Sequence, residues 1–134
     1  MRRVGIDTNV LLRLIVDDDE EQRSKVITFG SALNRDYRGL ITLLGVLEID
    51  WALRSRYGFT RRQSGAALQK LMQIRGLDIE SQDVLLRALR LVDENNADLA
   101  DALIAERSAE LGCERTMTLD RKAAARIPSM TLLG

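Results

Sequence analysis

The chain has 134 residues, 46% of them hydrophobic and 30% charged, which suits one compact globular domain over residues 1–134 with a buried core. Twenty Lys and Arg balance twenty Asp and Glu, and with no His anywhere, His-based acid–base catalysis, Ser-His-Asp triads and His-ligated zinc are excluded. A single cysteine, Cys113, rules out an intramolecular disulfide, no apolar stretch approaches the roughly 20 residues that cross a bilayer, and the first residues do not read as an export signal, so a cytoplasmic setting is expected.

Arg3-Val4-Gly5-Ile6 predicts a short strand ending at Asp7, followed by helices over 8–15 and about 19–34. The run Asp17-Asp18-Asp19-Glu20-Glu21 is expected to open the second helix, where carboxylates accept from free amides and complement the dipole. Gly39-Leu40-Ile41-Thr42 reads as a second strand. Helices over about 44–57 and 60–75 follow, ended by Gly58 and Gly76 in left-handed caps. Leu77-Asp78-Ile79-Glu80 supplies a third strand, helices over about 82–95 and 98–111 lead to Gly112, and 115–119 and 130–133 are strands four and five. Strands alternating with helices predict an α/β fold with three α/β/α layers and a central, mostly parallel, roughly five-stranded sheet.

Charge is unevenly spread. Residues 51–77 carry Arg54, Arg56, Arg61, Arg62, Lys70 and Arg75 without an acid among them. Guanidinium groups match phosphate oxygens, so Arg54, Arg56, Arg61 and Arg62 are candidate RNA contacts, a solvated helical face being the other use of such a run. No glycine-rich loop follows the first strand, which leaves nucleotide-cofactor readings without support.

The carboxylates stand in more informative places. Asp7 lies at the carboxyl end of the first strand, where open α/β sheets bind ligands, although it would also serve as a helix N-cap. Glu48 falls within Leu43-Leu44-Gly45-Val46-Leu47-Glu48-Ile49-Asp50-Trp51-Ala52-Leu53, apolar on most of its circumference, so a buried charge needing a metal ion or an arginine is expected there. Asp98 and Asp101 are three apart and project from one side of a helix start, with the small Ala97, Ala102 and Ala105 expected to leave room for an ion or a phosphate backbone. Asp120 follows the fourth strand, with the Thr118 hydroxyl beside it; if strands one and four are neighbours, Asp7 and Asp120 face each other. Crowded carboxylates need a hard divalent cation, and oxygen-only ligation suits Mg²⁺ or Mn²⁺.

Four segments occur in order over nearly the whole chain: Ile6-Asp7-Thr8-Asn9-Val10-Leu11-Leu12; Leu47-Glu48 with Trp51-Ala52-Leu53-Arg54-Ser55-Arg56-Tyr57-Gly58; Asp98-Leu99-Ala100-Asp101-Ala102-Leu103-Ile104-Ala105; and Thr118-Leu119-Asp120-Arg121-Lys122-Ala123-Ala124. Together they resemble the PIN-domain nucleases, and within them the VapC-type toxins of bacterial toxin–antitoxin pairs. The resemblance implies an endoribonuclease whose catalytic acids are Asp7, Glu48, Asp101 and Asp120, with Asp98, Thr8, Asn9 and Thr118 in support. Asp7, Asp101 and Asp120 are the preferred metal ligands, and Glu48 either ligates or orients the attacking water. It further implies a single-stranded or looped RNA substrate, 5′-phosphate and 3′-hydroxyl products, and a small cognate antitoxin. Leu119 departs from the pattern, since relatives often carry an aromatic residue there.

Val26, Ile27, Phe29, Leu33, Val46, Ile49, Trp51 and Leu53 exceed what one buried stripe per helix needs, so a docking surface for the antitoxin, or for a second copy in a homodimer, is expected on these helices. Asn9 stands where a haloacid-dehalogenase-type phosphatase needs its second acid. A housekeeping RNA-processing PIN nuclease and, in a different class, a non-catalytic receiver-like binding module are the alternatives.

Overall fold

The computed structural model describes residues 1–16 and 19–134; Asp17 and Asp18, two members of the acidic run, lie outside the described residues. The chain divides into two compact units, one of residues 1–59 and 66–80 and one of residues 60–65 and 81–134.

The first unit holds β1 (Arg3–Gly5), α1 (Thr8–Ile15), α2 (Glu20–Ser31), β2 (Arg38–Ile41), α3 (Leu43–Arg56), most of α4 (Arg61–Met72) and β3 (Leu77–Ile79). Its strands form a parallel sheet in the order β1-β2-β3, with Val4 opposite Gly39 and Leu40 opposite Asp78. Arg38 and Asp78 clamp the second pair of strands, Nη2 to Oδ1 at 2.7 Å and Nε to Oδ2 at 3.0 Å, and this fork holds the Asp78 carboxyl below its ordinary range. Leu11, Leu12, Ile41, Val46, Ile49, Leu53 and Leu68 are buried, each side chain contributing about 1.5–3 kcal/mol of apolar burial. The start of α2 follows the acidic run as expected: the Asp19 carboxylate accepts from the Gln22 amide, with Glu20 and Glu21 in the first turn. Residue 34 is not reached, because Asn34 adopts a left-handed conformation (φ 65°) and the chain turns into β2.

The second unit holds the start of α4 and then α5 (Gln82–Asn95), α6 (Leu99–Glu110), β4 (Thr116–Thr118), α7 (Arg121–Arg126) and β5 (Met130–Leu132). On α5 the buried residues Val84, Leu85, Ala88, Leu89 and Val92 recur at helical spacing and make one stripe. That helix packs on α6, which buries Leu99, Ala102, Leu103 and Ala105. β4 and β5 pair in parallel, Met117 opposite Thr131. The five expected strands are present and parallel, divided between a three-stranded and a two-stranded sheet. Among the described residues the ladders pair β1 with β2, β2 with β3 and β4 with β5, and the expected pairing of strands one and four is not among them. Helix α7 was not expected from the sequence. It forms because the Asp120 carboxylate accepts from the Ala123 amide at 3.0 Å and an Ala-rich turn follows, with Pro128 just beyond its end.

Gly58 and Gly112 take positive φ just past α3 and α6, as helix caps require; Gly76 is also positive, but α4 stops at Met72 and not near residue 75, so Gly76 belongs to the turn that leads into β3. At Gly76 (φ 91°) the backbone is also crowded, since a Cβ there would stand 2.6 Å from the Asn34 nitrogen. Gly76→Ala should therefore lower unfolding stability by about 2 kcal/mol or more, measured by urea denaturation. A loss no larger than that of an ordinary surface substitution would show that this turn tolerates a side chain.

Candidate active site

In the first unit, β1 delivers the chain to Asp7, which occupies the N-cap position of α1 (φ −73°, ψ 151°) while its side chain makes no capping hydrogen bond. The carboxylate is exposed. Across from it, Thr42 starts α3 by accepting from the Gly45 amide at 3.1 Å, and a turn further along, Glu48 accepts a hydrogen bond from the Thr8 hydroxyl at 3.0 Å. Asp7, Thr8, Asn9, Leu12, Glu48, Trp51, Ala52 and Arg56 line one open pocket of about 290 Å³. Five of the sequence-derived site residues, Asp7, Thr8, Asn9, Glu48 and Arg56, thus meet in one place.

Glu48 is exposed rather than buried, which corrects the expectation of a charge sealed in an apolar helix. The buried acid of α3 is Asp50, only 4% exposed, with its Oδ2 at 3.3 Å from Arg54 Nε. The i, i+4 spacing of Asp50 and Arg54 was the signal for this pair, and it ties up one of the arginines assigned to RNA. Arg56 lies over the Trp51 ring, 5.8 Å from its centroid.

The second unit brings its own acids together. Asp98 occupies the N-cap position of α6 without a side-chain cap bond, and its Oδ1 lies 3.9 Å from Arg61 Nε. Asp101 sits in the first turn of α6, where desolvation first, then the negative charges of Asp98 and Asp120, push its carboxyl above the ordinary range; Arg61 partly offsets them. Asp120 has a helix-starting role through its bond to the Ala123 amide, and the Thr118 hydroxyl accepts from the Asp120 amide at 3.0 Å, fixing the turn. Ala97, Ala102 and Ala105 are at most 1% exposed, so they serve close packing instead of leaving room for a ligand. Arg62 stays exposed near Asp93, Nε to Oδ1 at 3.9 Å.

The expected apolar docking surface is smaller than the sequence suggested. Val26, Leu33, Val46, Ile49 and Leu53 are buried, and Phe29 stacks on Tyr37 with centroids 5.2 Å apart. Ile27 and Trp51 remain exposed, joined by Leu44.

Carboxylate and hydroxyl oxygens are the donors that Mg²⁺ or Mn²⁺ prefers, so the residues fit a hard cation in donor chemistry. Among the described residues no group of three or more His, Cys, Asp or Glu stands at the spacing one ion needs. Among the described residues no helix is long and apolar enough to cross a membrane.

The family model of the PIN domain matches residues 4–128. No curated protein matches this chain. Among solved structures, a toxin–antitoxin complex from Klebsiella pneumoniae is similar over 96% of this chain and 95% of that chain, at 21% identity and a TM-score of 0.35.

The Asp101 charge carries a testable consequence. Because its carboxyl titrates above the ordinary value near 4, its proton-bound form favours the fold below that value, and this contribution is lost as pH rises through the raised value. In chelator at neutral pH, Asp101→Asn should accordingly raise Tm by roughly 1–3 °C, and the gap should close on acidification towards about pH 3. Scanning calorimetry over this range reads both features. A variant less stable than the wild type at neutral pH would contradict the assigned penalty of burial and like charge.

Proposed function

The chain belongs to the PIN-domain family, whose members are generally nucleases, and on that premise we propose that it is a metal-dependent endoribonuclease, the toxin of a toxin–antitoxin pair. The observation that carries the reading is electrostatic: burial first, and then the neighbouring carboxylates of Asp98 and Asp120, raise the Asp101 carboxyl, with Arg61 partly offsetting them. Such an arrangement lacks positive charge, which is what a cation site requires before it is filled.

We assign Asp7, Glu48, Asp101 and Asp120 as the catalytic acids; placing these four in one centre rests on the family resemblance of their motifs. Asp7, Asp101 and Asp120 would hold Mg²⁺ or Mn²⁺, with Glu48 as a further ligand or as the group that orients the attacking water. When bound, such an ion supplies Lewis acidity and neutralises charge at a phosphodiester. The Thr8 hydroxyl holds Glu48 in one orientation, and the Thr118 hydroxyl fixes the turn that carries Asp120. Asp98 tunes the local field beside Arg61. Asn9 supports the Asp7 side of the pocket. Arg54, Arg56, Arg61 and Arg62 are the proposed phosphate contacts, Arg54 the least available of them because of Asp50.

The substrate is single-stranded or looped RNA, whose unstacked bases an open groove can reach. A ribonuclease in its own cytoplasm needs restraint, so a small cognate antitoxin is the expected partner, with Ile27 and Leu44 as the exposed apolar residues left for it or for a second copy. The proposal takes the chain as a single cytoplasmic domain.

The test is Asp7→Asn, which keeps size and removes a ligand charge. RNA cleavage should fall by roughly 100-fold or more, and growth inhibition on expression should disappear, with the circular-dichroism spectrum unchanged. Mg²⁺ or Mn²⁺ should raise the wild-type Tm, and the rise should vanish in the Asp7→Asn, Asp101→Asn double variant. A folded single variant that cleaves like the wild type would remove Asp7 from the site.

A further inference from the structure

We propose that Trp51 and Arg56 of α3 form a stacking platform that holds one unpaired nucleobase, with its phosphate, beside the Asp7–Glu48 pocket. The proposal deepens the ribonuclease reading and rests on it. Helix α3 buries Val46, Ile49, Asp50, Ala52 and Leu53, and a tryptophan on such a helix would ordinarily join them. Trp51 instead leaves 60% of its surface to solvent. It stands three residues after Glu48, hence on the same side of the helix, and both line the pocket.

What surrounds the ring decides its occupant. The pocket wall is mainly polar, with Asp7, Thr8, Asn9, Glu48 and Arg56 against Leu12 and Ala52. An apolar helix face from a protein partner would strand these groups without hydrogen bonds. A nucleobase has a flat face for the indole and polar edges for the side chains around it, which meets both demands. The Arg56 guanidinium lies over one face of the indole, 5.8 Å from its centroid, so a base would stack on the opposite face, and the cation beside the ring adds charge complementarity to the phosphate that such a base carries.

Trp51 is the only tryptophan in the chain, so intrinsic emission reports on this ring alone. The experiment titrates the full-length protein with a short oligoadenylate in chelator, where binding is read without cleavage, and repeats it with an abasic ribose-phosphate oligomer of equal length. Saturable quenching by oligoadenylate, with little by the abasic chain, is the expected result. By anisotropy of labelled RNA, Trp51→Ala should weaken binding roughly 5- to 150-fold, and Trp51→Phe should recover much of the loss because the aromatic face is retained. Arg56→Gln should weaken binding and lower the slope against log salt by about one. Equal quenching by the abasic chain, wild-type affinity in Trp51→Ala, or emission that changes on dilution of the protein alone, as at an interface between copies, would overturn the platform. Quenching without cleavage after metal is added would leave the platform standing and remove the ribonuclease reading, whereas cleavage with normal binding by Trp51→Ala would do the reverse.

Discussion

Two strands that pair in parallel cannot be joined by a tight turn, so the chain must cross back through helical structure before the next strand begins, and every ladder among the described residues is parallel. Such a path creates a junction at the carboxyl end of a strand where extended backbone gives way to the first turn of a helix. Aspartate suits that junction, since a short carboxylate at an N-cap position complements the unpaired amides. Asp7 after β1 and Asp120 after β4 both occupy it. The difference between them is instructive. Asp120 binds the Ala123 amide and starts α7, whereas Asp7 stands at the cap position with no capping hydrogen bond. The connection that parallel pairing demands therefore also presents carboxylates at helix starts, where function can use them.

Electrostatics then separates acids that stabilise the fold from acids that strain it. Asp78 is held below its ordinary range by the Arg38 fork, and Asp50 is buried against Arg54. Both are ion pairs between neighbouring elements or turns, and the lowered Asp78 carboxyl favours the folded state at neutral pH. Asp101 behaves in the opposite sense, because partial burial and two negative neighbours penalise its charge while Arg61 offsets only part of it. A carboxylate held at such a penalty is a candidate for function, and a cation bound beside it would relieve the penalty.

Much of this was legible in the sequence, for identifiable reasons. Helix ends at Gly58 and Gly112 were readable because only glycine relieves left-handed backbone cheaply, and the short strands were readable from apolar runs ending in polar residues; Gly76 is left-handed too, but it closes a turn after α4 has already ended at Met72. Helix α7 escaped because a six-residue segment has no periodicity to detect; its signal was the Asp120 cap and the Ala-rich turn. Burial along α3 was misplaced by two residues, Asp50 being inside and Glu48 outside, because an almost uniformly apolar helix gives no polar face from which to fix its rotation. Trp51 is exposed, in keeping with the apolar excess read on this helix. Its actual neighbours, the Arg56 cation and the Asp7–Glu48 pocket, depend on tertiary placement that periodicity does not encode.

The central claim is that these carboxylates serve phosphodiester cleavage through a divalent cation. The most direct measurement is single-turnover cleavage of a mixed RNA pool by the purified protein, first in excess chelator and then after Mg²⁺ or Mn²⁺ is restored, with the ends of the products identified. The account predicts intact RNA in chelator and, on restoring the metal, fragments with 5′-phosphate and 3′-hydroxyl ends. Cleavage that persists undiminished in chelator, or products ending in 2′,3′-cyclic phosphate, would contradict it.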